Sequence, residues 1–140
     1  MDIEQIAEIC HEVNRAYCQT LGEGGQPEWK DAPEWQKEST LHSIAFFLKT
    51  PEARPRNLHE AWMKEKRTRG WRYGPVKNPE TKEHPCLVDY DHLPEEQKLK
   101  DILFLAIVRN LGKSEYRSDA CAAWKTSISL DYELTNSKSL

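Results

Sequence analysis

Along the first twenty residues, apolar side chains recur every three or four positions, and charged side chains occupy the opposite side. The apolar set consists of Ile3, Ile6, Ile9, Cys10, Val13 and Tyr17. This spacing predicts an amphipathic helix. We expect the helix to end near Leu21, because a loop rich in glycine and proline follows it. His11 falls on the polar side, which predicts a surface histidine.

A second helix is predicted from about Asp31 to Thr50. Pro33 and Glu34 suit a first helical turn, and Pro51 stops the helix. One apolar stripe is formed by Leu41, Ile44, Ala45 and Leu48, and a second by Trp35, His42 and Phe46. A helix that is apolar on two sides usually touches neighbours on both. We therefore expect His42 to be a hydrogen-bonded histidine of the core.

Two more helices are predicted on either side of a proline-rich stretch. The third covers residues 58–69, with Asn57 as its N-cap and Gly70 ending it in the left-handed conformation. The fourth runs from Leu93 to Gly112 and contains the apolar run ILFLAIV. Its expected buried face consists of Leu99, Ile102, Leu103 and Ala106.

Three prolines, Pro75, Pro79 and Pro85, exclude a continuous helix between the third and fourth helices. Two short extended pieces remain, residues 71–77 and 86–90, with a turn at Asn78-Pro79-Glu80 between them. We expect an irregular antiparallel β pairing of residues near 73–77 with residues near 86–90. The predicted fold is therefore mainly α, with four principal helices and this short antiparallel β pairing.

The chain of 140 residues has about the length of one domain. We expect one domain over residues 1–112. Residues 113–140 form a C-terminal extension with weak periodicity, for which we expect a short helix within residues 119–130 and a frayed end.

Composition narrows the class of protein further. The longest apolar run has seven residues, whereas about 20 are needed to cross a bilayer as a helix. The N-terminus lacks the basic start and apolar stretch of a signal peptide, so we expect a soluble cytoplasmic protein. Four scattered cysteines, Cys10, Cys18, Cys86 and Cys121, form no C-x-x-C pair. We expect reduced thiols and no metal site.

The net charge of −3 conceals a basic zone from Lys64 to His84, which has seven Lys and Arg side chains against three Glu. One basic zone in an acidic protein indicates a small or local anionic partner. Duplex nucleic acid, by contrast, requires a broad basic face. The alternative is that these lysines and arginines only solvate an exposed helix end.

Enzyme motifs are absent from the sequence: it has no nucleophile elbow, phosphate-binding loop, dinucleotide fingerprint or H-E-x-x-H. Cys86 follows His84 by two residues, but such a pair is common by chance. We therefore expect a protein that is not an enzyme and needs no cofactor.

Aromatic rings and cations, by contrast, are concentrated between Gly70 and Tyr90. The rings are those of Trp71, Tyr73, His84 and Tyr90, and the cations are those of Arg72, Lys77 and Lys82. A flat ligand can stack on such a ring while cations hold its phosphates, and base stacking contributes roughly 1–3 kcal/mol per ring. The alternative, which the spacing alone favours, is that Trp71 and Tyr73 fill a small core.

Three ordered blocks resemble the ryanodine-receptor repeat domain, or RyR domain, over about residues 3–110. The most specific matches are H-E-x-W at residues 59–62, G-W-x-Y-G-P-V at residues 70–76 and H-P-C-L-V-x-Y at residues 84–90. The resemblance implies a small helical module with short antiparallel strands. A single copy is similar to the free-standing versions found in bacteria and their viruses.

In the calcium-release channels, these repeats occur as tandem pairs outside the pore, and a pair can bind adenine nucleotide at the Trp of the G-W-x-Y block. The resemblance thus implies a ligand site around Trp71 for a nucleotide or nucleotide-derived anion. The candidate ligand-binding residues are Trp71, Arg72, Tyr73, Lys77, His84, Tyr90, His59 and Trp62. Because this chain has one repeat, we expect a homodimer. The alternative function is a protein–protein interaction or structural module without a small-molecule ligand.

Overall fold

The computed structural model describes residues 1–113 of the chain, and it is mainly helical there. The α-helices are α1 (Ile3–Thr20), α2 (Glu34–Lys49), α3 (Pro55–Thr68) and α4 (Glu95–Leu111). Two strands, β1 (Arg72–Tyr73) and β2 (Glu83–His84), lie between α3 and α4, and short 3-10 helices cover Trp29–Asp31 and Tyr90–His92. The predicted four-helix, mainly α fold is confirmed. The predicted helix within residues 119–130 lies outside the described residues.

The described residues fall into two compact units. The first contains Met1–Pro51 and the described residues from Ala106 onward, and the second contains Glu52–Leu105. Within residues 1–113, no helix combines the length and the apolar character needed to cross a membrane.

In the first unit, α1 packs against α2. Asp2 caps α1, because its Oδ1 accepts a hydrogen bond of 2.8 Å from the backbone N–H of Gln5, whose side chain accepts one from Asp2 N. The α1–α2 core is built from Ile6, Ala7, Cys10, Cys18, Leu41, Ile44, Ala45 and Phe47. Of the predicted stripes, Ile6 and Cys10 of α1 and Leu41, Ile44 and Ala45 of α2 are buried, and the other members are half-buried. Ala7, Cys18 and Phe47 belong to the core although neither stripe contained them.

The two histidines of this unit differ from their predictions. His11 is buried, and its Nε2 lies 2.7 Å from the carbonyl oxygen of Pro27. It is therefore not a surface residue, because the loop after α1 folds back over it. His42 is only half-buried, and its Nδ1 is bonded to the Glu38 carbonyl one turn earlier in α2. Trp35, on the same predicted stripe, is 45% exposed, so this second side of α2 is not a core face.

In the second unit, α3 begins at Pro55, three residues before the predicted start. Asn57 nevertheless stabilises this end, because its Oδ1 accepts a hydrogen bond of 2.8 Å from Arg54 N. At the other end, Gly70 has φ +86°, and the N–H groups of Gly70 and Trp71 donate to the carbonyls of Arg67 and Lys66. This is a Schellman motif, so the prediction for Gly70 is confirmed.

The β pairing is parallel, and the predicted antiparallel arrangement is wrong. Arg72 pairs with Glu83 and Tyr73 with His84. A separate antiparallel bridge joins Asn78 to Glu83. The chain therefore reverses twice, once between Tyr73 and Asn78 and again between Asn78 and Glu83, whereas the prediction allowed for one reversal. The paired residues also lie earlier than predicted, since residues 86–90 form no strand.

The apolar face of α4 is rotated from its predicted position. Leu105 and Val108 are buried, whereas Leu99 and Ile102 are 42% and 44% exposed. Residues Glu95–Leu105 of this helix belong to the second unit. The buried residues of that unit include Ala53, His59, Met63, Leu87, Leu93 and Leu105.

Candidate functional site

Five aromatic side chains of the second unit form a continuous row, which we call the ring row. Its members, in spatial order, are Trp71, His84, Trp62, His59 and Tyr90. Successive ring centroids are separated by 6.2 Å, 5.0 Å, 5.6 Å and 6.0 Å. The row therefore joins residues that are up to 31 positions apart in the sequence.

Local structure explains how each ring reaches the row. His59 and Trp62 are three residues apart on α3 and so lie on one face of the helix, with their rings stacked at 26°. The Schellman motif turns the chain so that Trp71 follows directly after the helix. His84 comes from β2, and its ring meets that of Trp62 edge to face at 76°. Tyr90 begins the second 3-10 helix.

His59 is the buried member of the row, with 4% of its surface exposed. Its Nε2 donates a hydrogen bond of 2.7 Å to the carbonyl oxygen of Val88, which leaves the proton of the neutral ring on Nε2. Burial lowers the pKa of His59 below its usual value, and the hydrogen bond to Val88 offsets only part of this effect. His59 therefore supports the row from within the core.

His84 is held by contacts with two aromatic rings and by one hydrogen bond. The backbone N–H of Cys86 donates to its Nδ1 over 3.0 Å. The proton of the neutral imidazole consequently lies on Nε2. Since Trp62 and Trp71 flank this ring, His84 is a fixed spacer between the two indoles.

Trp71, at one end of the row, is half-buried and carries a cation. The ammonium of Lys66 lies 4.8 Å from the centroid of the Trp71 ring, within the range of a cation–π interaction. Burial lowers the pKa of Lys66. The carboxylate of Glu65 opposes that shift, and the positive charges of Lys77 and Arg69 add to it. The surroundings of Trp71 are thus rich in positive charge.

Two further basic residues border this end of the row. Lys82 has a positive φ of 54°, and its ammonium donates a hydrogen bond of 2.9 Å to the carbonyl oxygen of Arg69. Arg72 is exposed and pairs with Glu83 across the two strands at 3.1 Å. Lys82 therefore stabilises the turn around Gly70, and the charge of Arg72 is partly neutralised by a carboxylate.

At the opposite end of the row, two cations lie near the ring of Tyr90. The guanidinium carbon of Arg56 is 5.1 Å from its ring centroid, and the ammonium of Lys98 is 5.4 Å away. Asp91 holds Arg56 through two hydrogen bonds of 2.6 Å and 3.0 Å, and this pairing lowers the pKa of Asp91. The ring of Tyr90 is therefore already engaged by side chains of the protein.

The structure brings together five of the eight predicted site residues, namely those of the ring row. Arg72 and Tyr73 lie on β1 with exposed side chains, and Tyr73 is 58% exposed. Lys77 is exposed and acts on the row through its charge near Lys66. Sequence reasoning missed Lys66 and Arg56. The signal that could have identified Lys66 is its place in the last turn of α3, four residues before Gly70. The Schellman motif at Gly70 turns the chain back toward that last turn.

A groove of about 290 Å³ lies in the first unit, and its lining contains no predicted site residue. Its lining consists of Glu8, Glu12, Glu28, Trp29 and Lys30. Three carboxylates make this groove unsuitable for an anionic ligand. Glu12 is also committed to the fold, because it accepts a hydrogen bond of 2.7 Å from the backbone N–H of Trp29 and pairs with Arg15.

The cysteines within residues 1–113 are Cys10, Cys18 and Cys86. Burial raises the pKa of Cys10 to about 12, so this thiol remains protonated and packs as a small hydrophobe. Cys18 is buried and Cys86 half-buried, while Cys121 lies outside the described residues. Across residues 1–113, no three His, Cys, Asp or Glu side chains are grouped so that they could hold a metal ion.

One protein family, described as the RyR domain, has a sequence model that matches residues 47–109 of this chain. The matched stretch begins within α2, contains all of α3 and both strands, and ends within α4. It includes Lys66 and every member of the ring row. It is shorter than the resemblance over residues 3–110, because α1 and most of α2 lie outside it.

Proposed function

We propose, on the premise that this chain belongs to the RyR-domain family through residues 47–109, that it is a non-enzymatic module that binds a nucleotide or a nucleotide-derived anion. Trp71 is the stacking ring in this proposal. The ligand's phosphate lies toward Lys66 and Lys77. The observation that carries the proposal is the Lys66 ammonium at 4.8 Å from the Trp71 ring, with the charges of Lys77 and Arg69 nearby.

The chemistry of this arrangement supports a ligand that is both flat and anionic. An indole that is half-buried offers apolar area to a base without requiring the ring to leave the core. Stacking of a base on such a ring contributes roughly 1–3 kcal/mol in single-strand binders. Charge-assisted hydrogen bonds from lysine ammonium groups to phosphate oxygens are stronger than neutral ones. Together, the two interactions favour a nucleotide over either a simple anion or a neutral aromatic compound.

The other predicted residues have supporting roles in the proposal. His84 and Trp62 fix the orientation of Trp71, and His59 anchors them to the core. Tyr90 is engaged by Arg56 and Lys98, so we assign it to packing and not to ligand stacking. Arg72 and Tyr73 contribute at most to the rim of the site.

Isothermal titration calorimetry with adenosine, guanosine, cytidine and uridine nucleotides, including mono- and triphosphates, tests the proposal. We expect binding by the wild-type chain and its loss in Trp71→Ala. Trp35→Ala is the matched control, since it removes an indole that is 45% exposed on α2, outside the ring row. Equal losses in both variants, or no binding by the wild type at millimolar nucleotide, would contradict the proposal.

A second candidate function is a protein–protein interaction module. It is favoured by the loop after β1, where Tyr73 and Val76 are 58% and 71% exposed. This loop is held by the β1–β2 pairing and by the bridge between Asn78 and Glu83, so its apolar side chains are presented on a defined backbone. Tyrosine is enriched at the centres of interfaces. A second copy of this chain is the partner that we propose first, because the related channel repeats act in pairs.

A further inference from the structure

His84 and Lys66 both neighbour the Trp71 ring, and their side chains differ in flexibility. His84 is fixed by the hydrogen bond from Cys86 N and by the edge-to-face contact with Trp62. Lys66 reaches the ring from α3 through a flexible chain of four methylene groups, and its ammonium ends 4.8 Å from the ring centroid. A flat ligand that approaches Trp71 therefore displaces Lys66 more readily than it displaces His84.

We infer that Lys66 determines the class of ligand: its ammonium covers the Trp71 ring in the free protein and transfers to the ligand's phosphate when a base stacks on that ring. This inference rests on the proposed function, because it concerns the same site. It assigns to Lys66, which neither the sequence motifs nor the family match identifies, a selective role in favour of nucleotides over nucleosides and free bases.

Stacking of a ligand on Trp71 exchanges one interaction of the ring for another. A nucleoside that stacks on Trp71 removes the ammonium–ring contact and offers no anion in return, so part of its stacking energy is lost. A nucleotide removes the same contact but provides phosphate oxygens that the displaced ammonium can bind. The exchange is therefore unfavourable for a neutral ligand and favourable for a phosphorylated one.

The electrostatics around Lys66 support this direction of exchange. The charges of Lys77 and Arg69 disfavour its protonated form, as burial does, whereas the adjacent Glu65 favours it. Glu65 is in turn paired with Arg69 at 3.3 Å. An incoming phosphate adds negative charge to a region in which positive charges repel one another, so it stabilises the ammonium form of Lys66.

The experiment compares each nucleoside with its own 5′-monophosphate by isothermal titration calorimetry. Lys66→Met keeps much of the side-chain length without the charge, Lys66→Arg keeps a charge, and Lys64→Met is the control for an exposed lysine on the same helix. We expect the wild type to prefer the monophosphate by about tenfold or more, which corresponds to one charge-assisted hydrogen bond. In Lys66→Met, the preference should fall to about threefold or less, because monophosphate binding weakens while nucleoside binding is kept or improved.

The variants separate failure of this inference from failure of the proposed function. Lys66→Arg should restore most of the preference and Lys64→Met should retain it, which a general loss of folding would not produce. Circular dichroism and a thermal melt verify that each variant is folded. If the wild type binds nucleotides but Lys66→Met keeps the full preference, the inference is wrong and the proposed function stands. If the wild type binds no nucleotide at all, both are wrong.

Discussion

The Nε2 atom of His59 donates a hydrogen bond of 2.7 Å to the carbonyl oxygen of Val88, and this bond joins α3 to the segment that leads from β2 to Tyr90. The two residues are 29 positions apart, so the bond fixes the non-local arrangement on which the ring row depends. Because His59 is buried, its Nε2 cannot replace this bond with one to bulk water without opening the core.

The first prediction concerns pH. The pKa of His59 is lower in the folded protein than its usual value of 6.5, so the unfolded chain binds the proton more strongly. The contribution of neutral His59 to stability is therefore fully present above pH 6.5 and is lost as the pH falls below it toward the folded-state pKa. Urea unfolding between pH 5 and pH 8, on the order of half-unit steps, measures this slope.

Two variants assign that slope to His59. In His59→Gln, an amide can still donate to Val88 but cannot titrate, so the decrease in unfolding free energy below pH 6.5 should become smaller. His92→Gln, which replaces an exposed histidine of the same unit, is the control. If His92→Gln reduced the pH slope of the unfolding free energy more than His59→Gln did, His59 would not be the group responsible.

A second prediction separates binding from packing at Trp71. Since this side chain is half-buried, Trp71→Ala should lower the unfolding free energy by about 1–3 kcal/mol, less than the roughly 3–5 kcal/mol typical of a fully buried Trp. Nucleotide binding should be lost completely. Urea unfolding and calorimetry on the same preparation give both quantities. If Trp71→Ala instead lowers the unfolding free energy by roughly 3–5 kcal/mol, and the wild type binds no nucleotide, the interaction module is favoured.

A third prediction concerns the spacing of the two strands. A Cβ atom added at Gly74 would lie 2.6 Å from Cβ of Glu83, and that atom is fixed to the backbone of β2. Gly74→Ala should therefore destabilise the protein by about 1–3 kcal/mol through overpacking. Gly24→Ala is the matched control, because nothing lies within 4 Å of a Cβ there and its φ is not positive. We expect that variant to match the wild type within about 1 kcal/mol in urea unfolding. Equal changes in unfolding free energy for Gly74→Ala and Gly24→Ala would show that stability does not depend on the close approach at Gly74.

A fourth prediction addresses assembly. We expect the chain to sediment as a dimer at micromolar concentration, at about twice its mass of 16.3 kDa. Val76→Asp, which places a charge on the most exposed apolar side chain of the β1 loop, should shift the protein toward the monomer. A single species near the chain mass at every concentration would remove the dimer. Aromatic residues such as Trp124 lie outside the described residues and do not enter this prediction.

Features set by local sequence could be predicted well. The apolar periodicity of Ile6 and Cys10, and the glycine at position 70, determine α1 and the end of α3 through the nearest few residues. The same local reasoning failed for His11, because its burial depends on the loop at Pro27, sixteen residues later. No pattern within α1 contains that information.

The candidate site shows the same division between local and distant causes. The rings and cations between Gly70 and Tyr90 could be identified by residue type, whereas His59 and Trp62 are identified through the H-E-x-W block of the family resemblance. The order of the ring row could not be predicted, since it requires the parallel pairing that places His84 beside Trp71 and Trp62. The two chain reversals around Asn78 depend on backbone hydrogen bonds, among them the reciprocal pair with Glu83, and any residue type offers these groups.

Because the chain reverses twice, residues 74–82 form a loop whose two ends lie close together. Backbone hydrogen bonds join Arg72 to Lys82 and Asn78 to Glu83. These bonds hold the base of the loop without any contribution from its tip. Trp71 and His84 stand immediately outside that base. The tip at Pro75 and Val76 can therefore be exchanged, lengthened or grafted with another peptide while the two rings keep their positions, which makes this loop a natural insertion point for altering what the protein recognises.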